Sequence, residues 1–529
     1  MCLIKIDISL PIDYSEADVR EAICKALPIT ASEIGDTELV RRTLNLSDTS
    51  RPHYKASVAF SASEEREAGL LKIRNRVKPH ENKIYSPTSA HLDFRPVVIG
   101  AGPAGVFAAL VLAEAGARPI VLERGLDVES RRRKVELYSS LGVLDPECNV
   151  QFGEGGAGTF SDGKLKVGAR DAYKMKVISE FIAAGACPDI AFSATAHLGT
   201  DKMDGMMLRL REKILSLGGE FIFGAKLSAI CVTDNALTAV EYEKGGEVFR
   251  VDTKAAVIAI GHSARDTVGM LYGAGIKMEA RPFGIGMRIE HKREYINSIV
   301  YREAKDAIRE SASYHLVTHL PSGRSVYSFC MCPGGSVVAA SSDPSGIVTN
   351  GMSEYARMAE NSNAAILVSV TPADFSSEHP LSGIQYQEGL ERLAYSITEA
   401  GRAPLATVRG LMSRDYTYAP DEVQPSYPRG TAAIRLEELF PSYVTDSLRA
   451  GLSDFDAWLP GFAHPSAVLT GPETRTTSPV RMLRGEGGEA VGFSGIFPAG
   501  EGAGYAGGIV SSATDGIREA EKLILKYSR

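Results

Sequence analysis

The chain lacks the groups that several common chemistries require. The stretch GTFSDGKL, residues 158–165, has the G-x-x-x-x-G-K spacing of a triphosphate-binding loop. Leu165 stands where Mg²⁺ would need a Ser or Thr hydroxyl, and the approach DPECNVQFGEGG is short and polar, so ATP hydrolysis is excluded. Seven cysteines, an odd number scattered over 529 residues, make no disulfide framework. No four-cysteine spacing occurs, so no metal is expected. Positive charge is not in excess: 58 Lys+Arg stand against 65 Asp+Glu, a net charge of -7. That balance offers no basic face for phosphates, and nucleic acid is not an expected partner. The charge-free run 97–113 holds three glycines and a proline and ends at Glu114. It reads as strand, turn and helix rather than a membrane span. The opening MCLIKIDISL meets charge too early for a secretory signal, and a soluble, cytoplasmic protein is expected. No fixed-period repeat or low-complexity tract is present.

What remains is ordinary globular material, 44% hydrophobic and 23% charged, in an order that suggests an inserted domain. In residues 1–92, CLIKIDISL alternates as a strand does, and SEADVREAICKAL has helical spacing with Ser15 as N-cap. TELVRRTLNL and HYKASVAFS read as strands, and SEEREAGLLKIRNRV as a charged helix. A β-α-β-β-α order predicts a small α+β unit of ferredoxin-like type. Up to Arg95 it carries 14 Lys+Arg and 14 Asp+Glu, which does not support an RNA-binding role. KPHENKIYSPTSAHLDFRP follows as linker. Residues 93–282 then begin a doubly wound α/β unit, 283–465 read as an inserted mixed α+β substrate domain, and 466–529 return to the first unit.

RPVVIGAGPAGVFAALVLAEAGARPIVLERG carries the dinucleotide fingerprint. Gly100 permits the tight turn, Gly102 a close backbone approach to a pyrophosphate, and Gly105 the packing of helix on strand, with Pro103 and Ala104 between them. The helix N-terminus beyond them presents free N–H groups to phosphates. Glu123 closes the next strand at the distance of an acid that holds ribose hydroxyls, which favours FAD or NAD over NADP. No second fingerprint with its own acid exists, and FAD, held non-covalently, is preferred. Arg124 and Arg131 are candidate contacts of the same cofactor, Arg131 to the pyrophosphate; Arg132 and Arg133 read as a solvated helix face.

The segments NVQFGEGGAGTFSDGKL, VIAIGHSARDT, FGIGMRIEH, FCMCPGG, NGMSEYARM, ETRTTSPVR and FPAGEGAGYAGGIVSSATDGI resemble the bacterial FAD-dependent dehydrogenases of unassigned substrate. That family lies within the glutathione-reductase-like flavoproteins. The resemblance runs from Val97 onward and is looser before it. It implies FAD and redox chemistry, with Leu227 at the adenine edge and Gly261 beside the dinucleotide, although Ile260 removes the hydroxyl relatives often have there. Gly500 and Glu501 stand where relatives place Gly-Asp, so Glu501 would accept from a ribityl hydroxyl. The helix opening at Gly507, Gly508 and Ile509 would aim N–H groups at the flavin N1–C2=O edge, which becomes anionic on reduction. Gly155, Gly156 and Gly158, with Gly153, fit backbone pressed against a flat cofactor, a second wall for the first loop's ligand.

Side chains able to serve hydride chemistry are Lys164, His262, Arg288, Glu290, Arg475 and Tyr505. His262, Arg475 and Lys164 are the catalytic candidates. Each has a plainer reading: His262 as a structural donor, Lys164 as a solvated lysine, Arg475 and Arg481 as ion pairs to Glu473 or Glu486. Tyr505 could flank the flavin ring. Cys330 and Cys332 would share one face of a strand about 6.6 Å apart, the outer limit for a disulfide, and read as buried small hydrophobes. The function expected is an FAD-dependent oxidoreductase passing hydride between a small organic substrate and flavin N5. NAD(P)H is a possible transient donor, and the oligomeric state is open. The rival readings are an RNA-modifying flavoprotein guided by the N-terminal unit, and an interaction protein with structural flavin.

Overall fold

Alternation builds the first unit of this computed structural model, which describes residues 3–73, 76–81, 84–165, 171–375, 377–399, 401–417 and 419–528. The strand Leu3–Leu10 buries Ile4, Ile6, Ile8 and Leu10 on one face. The helix Glu16–Ala26 lays Val19 and Ile23 on that face and starts at a capping box between Ser15 and Asp18. The charged helix is shorter than its sequence suggests, Glu64–Leu70, and Val77–His80 is a fourth strand where linker was expected. All strands pair antiparallel in the order Thr37–Asn45, His53–Phe60, Leu3–Leu10, Val77–His80, a β-α-β-β-α-β unit of ferredoxin-like order. Arg42 backbone exchanges hydrogen bonds with Phe192 and Ala194, so this unit's edge strand is met by the second unit's chain.

Five parallel strands form the sheet of the second unit, in the order Ile496–Pro498, Ala256–Ile258, Val97–Ile99, Ile120–Glu123, Glu220–Phe223. They are apolar on both faces, as a covered parallel sheet requires. Val98, Val121, Val257 and Phe497 face a helical layer that includes Pro103–Glu114, Thr200–Ser216 and Ile509–Tyr527. Helix Pro103–Glu114 is buried at every residue from Ala104 to Ala113, which explains a sequence hydrophobic all round. The opposite face departs from the doubly wound expectation. Val97, Ile99, Ile120 and Leu122 meet Leu227, Leu237, Val240 and Tyr242 of an antiparallel three-stranded sheet, Lys226–Thr233, Ala236–Lys244 and Glu247–Asp252, with the helix Arg265–Gly273 beside it.

A seven-stranded sheet organises the third unit, in the order Val317–His319, Ser325–Cys332, Asn361–Val370, Phe283–Lys292, Val468–Glu473, Ala403–Thr407, Thr431–Ala433. The expected boundary at 465 is therefore too early. Val468–Glu473 is buried throughout and pairs with both Phe283–Lys292 and Ala403–Thr407. Only at Val480–Met482, paired with Met278–Ala280, does the chain rejoin the second unit.

Candidate functional site

A cavity of about 800 Å³ is bordered by the ends of the parallel strands and by the third unit's sheet. Its floor is the fingerprint turn. Gly100 has φ +101° and donates its N–H to Leu122, and a Cβ there would strike the Ala259 carbonyl. Gly102 is the extended N-cap of helix Pro103–Glu114, with Pro103 at its first turn. Gly102, Pro103 and Ala104 border the cavity, whereas Gly105 packs against the Gly100 carbonyl.

Glu123 also borders the cavity, but its oxygens already accept three backbone N–H groups: Ala101 at 2.7 Å, Gly125 at 2.8 Å and Gly153 at 2.9 Å. It thereby ties the first glycine loop to the second. Arg124 lies at the cavity wall, its guanidinium over the Phe152 ring at 4.0 Å and paired to Glu147 and Asp266.

Arg131 is not a pyrophosphate contact. Its guanidinium is fully buried and donates to the carbonyls of Asn149 (3.0 Å), Val150 (2.9 Å), Gly153 (3.4 Å) and Glu154 (2.7 Å). This side chain is the scaffold of the second glycine loop. A Cβ at Gly153 would meet the Arg131 stem, one at Gly155 would meet Thr159, and one at Gly156 would lie 2.9 Å from Gly102 Cα. Those glycines accommodate the protein's own groups first. Gly156 and Gly158 do border the cavity, while Gly155 is turned away from it.

At the far end, Gly500 does not border the cavity; its N–H donates to Asp515 at 2.7 Å. Glu501, Leu227, Gly261, Gly507, Gly508 and Ile509 do border it. A Cβ added at Gly261 or Gly507 would meet nothing within 4 Å, and one at Gly508 only Ser511 Oγ at 3.9 Å. The unfilled space beyond them faces the start of helix Ile509–Tyr527, whose first turn carries no acidic residue.

His262 lines the cavity with its Nδ1 3.7 Å from Glu501 Oε1 and its Nε2 without a hydrogen-bond partner. Burial, with the charges of Arg475 and Arg265, pushes the imidazole down to about 3, so it is neutral. Burial pushes the Glu501 carboxyl up to about 8, and Cys330 adds to the shift. Lys164 also lines the cavity; its buried Nζ has no hydrogen bond and lies 3.5 Å from Asp162, which Arg357 holds bidentately. It is not a solvated lysine.

Arg475 reaches the cavity wall, but its partner is neither Glu473 nor Glu486. It forks onto Glu391 at 3.1 and 2.8 Å and donates to Ser342 at 2.6 Å. Arg288 and Glu290 are structural: Arg288 is buried against Glu473 at 2.9 Å, and Glu290 accepts from Asn361 and Ser426. Tyr505 does not flank the cavity. Its ring sits against the Arg484 guanidinium at 3.4 Å and its hydroxyl donates to the Met482 carbonyl. Arg481 lies outside as well, 3.5 Å from Glu279.

Cys330 corrects the expectation of a regular strand. Phe329 pairs with Ala365 and Cys332 with Asn363, so one residue is extra, and Cys330 takes φ +44° in the bulge. It borders the cavity, while Cys332 is buried behind it. Sequence reasoning also missed Tyr314, His315, Asn350 and Arg357, which line the same space from the third unit. Asn350 and Arg357 lie in NGMSEYARM, one of the segments that carry the resemblance, but nothing in the spacing marked any of the four as site residues, because they enter the site only through the long-range sheet. Among the described residues, no group of three or more His, Cys, Asp or Glu could hold a metal ion, and no helix is long and apolar enough to cross a membrane.

Residues 282–476 match the family described as FAD-dependent protein, C-terminal domain-like, which spans the seven-stranded sheet. A protein of Clostridium beijerinckii, described as an uncharacterized protein, is 40% identical over 532 residues, covering 98% of each chain. The chain belongs to this family of FAD-dependent proteins. Among solved structures, this flavoprotein is similar to 3-ketosteroid-delta4-(5alpha)-dehydrogenase from Rhodococcus jostii RHA1, at 13% identity and a TM-score of 0.35 over 84% of this chain and 100% of that one. A geranylgeranyl bacteriochlorophyll reductase-like protein from Thermoplasma acidophilum gives 11% and 0.35, over 82% and 80% of the two chains. Likenesses this loose carry no argument about substrate. The residues present fit FAD on their own evidence: a glycine cradle open toward the cavity at Gly261, Gly507 and Gly508, between two helix N-termini.

Proposed function

We propose that this flavoprotein is an oxidoreductase that passes hydride between a small organic substrate and FAD held in the cavity. The observation that supports this reading is the continuity of that space from the fingerprint turn to the third unit's sheet. The cofactor supplies the two-electron chemistry at N5, and the protein supplies position and charge. Gly102, Pro103 and Ala104 would receive the pyrophosphate at a helix N-terminus, with Glu123 at the ribose and Leu227 at the adenine edge. Gly507, Gly508 and Ile509 would face the ring's N1–C2=O edge, where helix N–H groups favour developing negative charge.

Lys164, His262 and Cys330 border the part of the cavity shared with the third unit, where the substrate would lie. His262 is neutral, and its Nε2 has no hydrogen-bond partner in the protein, so it can hold the substrate by a hydrogen bond. Lys164 offers a cation to an anionic group. Arg475 contributes mainly by anchoring Glu391, so its part in substrate binding is indirect. NAD(P)H, if it donates, would enter the same space.

The test is anaerobic: the purified protein is loaded with FAD, and bleaching of the oxidised-flavin absorbance is followed with NADH, NADPH and a panel of metabolites. A chain that is colourless and cannot bind added FAD would sink the reading. A flavin that no donor reduces would favour a structural cofactor.

A further inference from the structure

We propose that Cys330 and Cys332 form a redox-active dithiol that exchanges two electrons with the flavin in the same cavity. The inference rests on the placement of FAD argued above. In a regular strand these side chains would stand about 6.6 Å apart, too far for easy bonding. Here the bulge between Phe329 and Cys332 breaks that regular alternation, and the Cys332 side chain folds back onto the Cys330 backbone. Cys330 takes φ +44°, a conformation few non-glycine residues adopt and one that concentrates at functional sites. The bulge is pinned from behind: Arg288 donates to the Cys330 carbonyl at 2.6 Å, and the Cys332 thiol donates to the same oxygen at 3.2 Å.

The pair is also placed for exchange. Cys330 borders the cavity, whereas Cys332 is buried beneath it, an outer sulfur with a resolving sulfur behind. Lys164, whose Nζ has no hydrogen-bond partner, and Arg288 both stabilise negative charge on Cys330. The neighbouring Cys332 thiol, with those cations, pulls the Cys330 thiol down to about 5, and Cys330 together with burial pushes the Cys332 thiol up. The charge of Cys330 reaches Glu501, at the flavin end of the cavity. An inert, buried cysteine pair would not need the strained backbone.

The Cys330 thiolate and the Cys332 thiol form one S–S bond as the Cys332 S–H bond breaks; the two electrons and one proton released are taken up by oxidised flavin, which becomes the anionic two-electron-reduced form. In reverse, flavin reduced by its substrate returns the disulfide to a thiolate and a thiol.

The FAD-loaded protein tests this without any knowledge of substrate. Thiol titration after denaturation is expected to find all seven cysteines of the sequence in the reduced protein and two fewer after mild oxidation with diamide. A tryptic peptide covering 325–357 holds Cys330 and Cys332 and no other cysteine, and it should lose two hydrogens on oxidation. Anaerobic dithionite titration of the oxidised holoprotein should consume four electrons per FAD, falling to two in Cys332→Ser and in Cys330→Ser. A wild-type titration that ends at two electrons, or a 325–357 peptide that keeps both thiols, overturns the proposal. The mapping of the wild-type peptide stands even where a variant does not fold. Failure to bind FAD shows separately, as missing flavin absorbance in the same sample, and overturns the reading of the cavity.

Discussion

Glu391→Gln should destabilise the protein severely, although Glu391 itself performs no chemistry. The side chain comes from helix Ser382–Ile397 in the third unit and is buried to 1% exposure. Its two oxygens accept five hydrogen bonds: two from Arg265 at 2.8 Å, two from Arg475 at 3.1 and 2.8 Å, and one from Thr474 at 2.7 Å. Arg265 opens a helix of the second unit, so one carboxylate joins two units and the strand exit between them. Glutamine keeps the shape but puts an amide donor against guanidinium donors and leaves two buried cations without their shared anion. Removing one partner from a buried pair costs about 3–5 kcal/mol. For units of this size that is a fall of about 6–20 °C in the first melting transition. Burial opposes the charge of Glu391, but Arg475 and Arg265 outweigh it and hold the carboxyl well below the usual range. A depressed acid contributes stability that is full above its unfolded value, about 4.3, and is lost as pH falls through the folded one. The gap between wild type and variant should therefore be constant at neutral pH and shrink in acid below about pH 4. Thermal melts of the FAD-loaded proteins across pH measure both. A variant melting within about 2 °C of wild type at pH 7 would refute the assignment of Glu391 as the joint.

Gly508→Val should leave the apoprotein's melting temperature unchanged, because only Ser511 Oγ lies near the new Cβ, yet weaken FAD binding at least about tenfold, since the branched side chain enters the cavity. Fluorescence titration with FAD reads the second effect. Glu501, pushed up to about 8, binds a proton in the fold that the unfolded chain has released. Stability should accordingly decline as pH climbs from about 4 to 8, by at most about 1.4 kcal/mol per pH unit, and by less because a quarter of the side chain is open to the cavity. Glu501→Gln should flatten that slope in pH-dependent melts. Arg131→Met strips the donors from four buried carbonyls and should cost at least about 3 kcal/mol, with faster protease cleavage at 149–165 and loss of bound FAD.

How far the site could be read from the sequence depended on how locally each part is encoded. Gly100, Gly102, Gly105 and Glu123 lie within one strand-turn-helix-strand, and their spacing alone placed them at the cavity floor or against it. The strands of the third unit reveal less. Arg475 meets Glu391, 84 residues away, because Val468–Glu473 enters a sheet whose other strands come from before position 434. Nothing local distinguishes Glu391 from Glu473 or Glu486 as its partner. The same holds for Cys330. A strand's alternation is visible in SVYSFCMC, but the extra residue that turns Cys330 into the cavity is fixed by the pairing with Asn361–Val370.

The second glycine loop lies between these cases. Its glycines announced a close backbone approach, and the approach occurs, but to Arg131, Thr159 and Gly102 before any cofactor. A loop with this many polar backbone groups could not be buried beside the first one unless something met its carbonyls. Arg131 does so from inside the turn, and Glu123 accepts the Gly153 N–H from the other side. Two charged residues that look like ligands for a dinucleotide thus act first as the frame that holds two glycine loops together, and the cavity exists because that frame is closed.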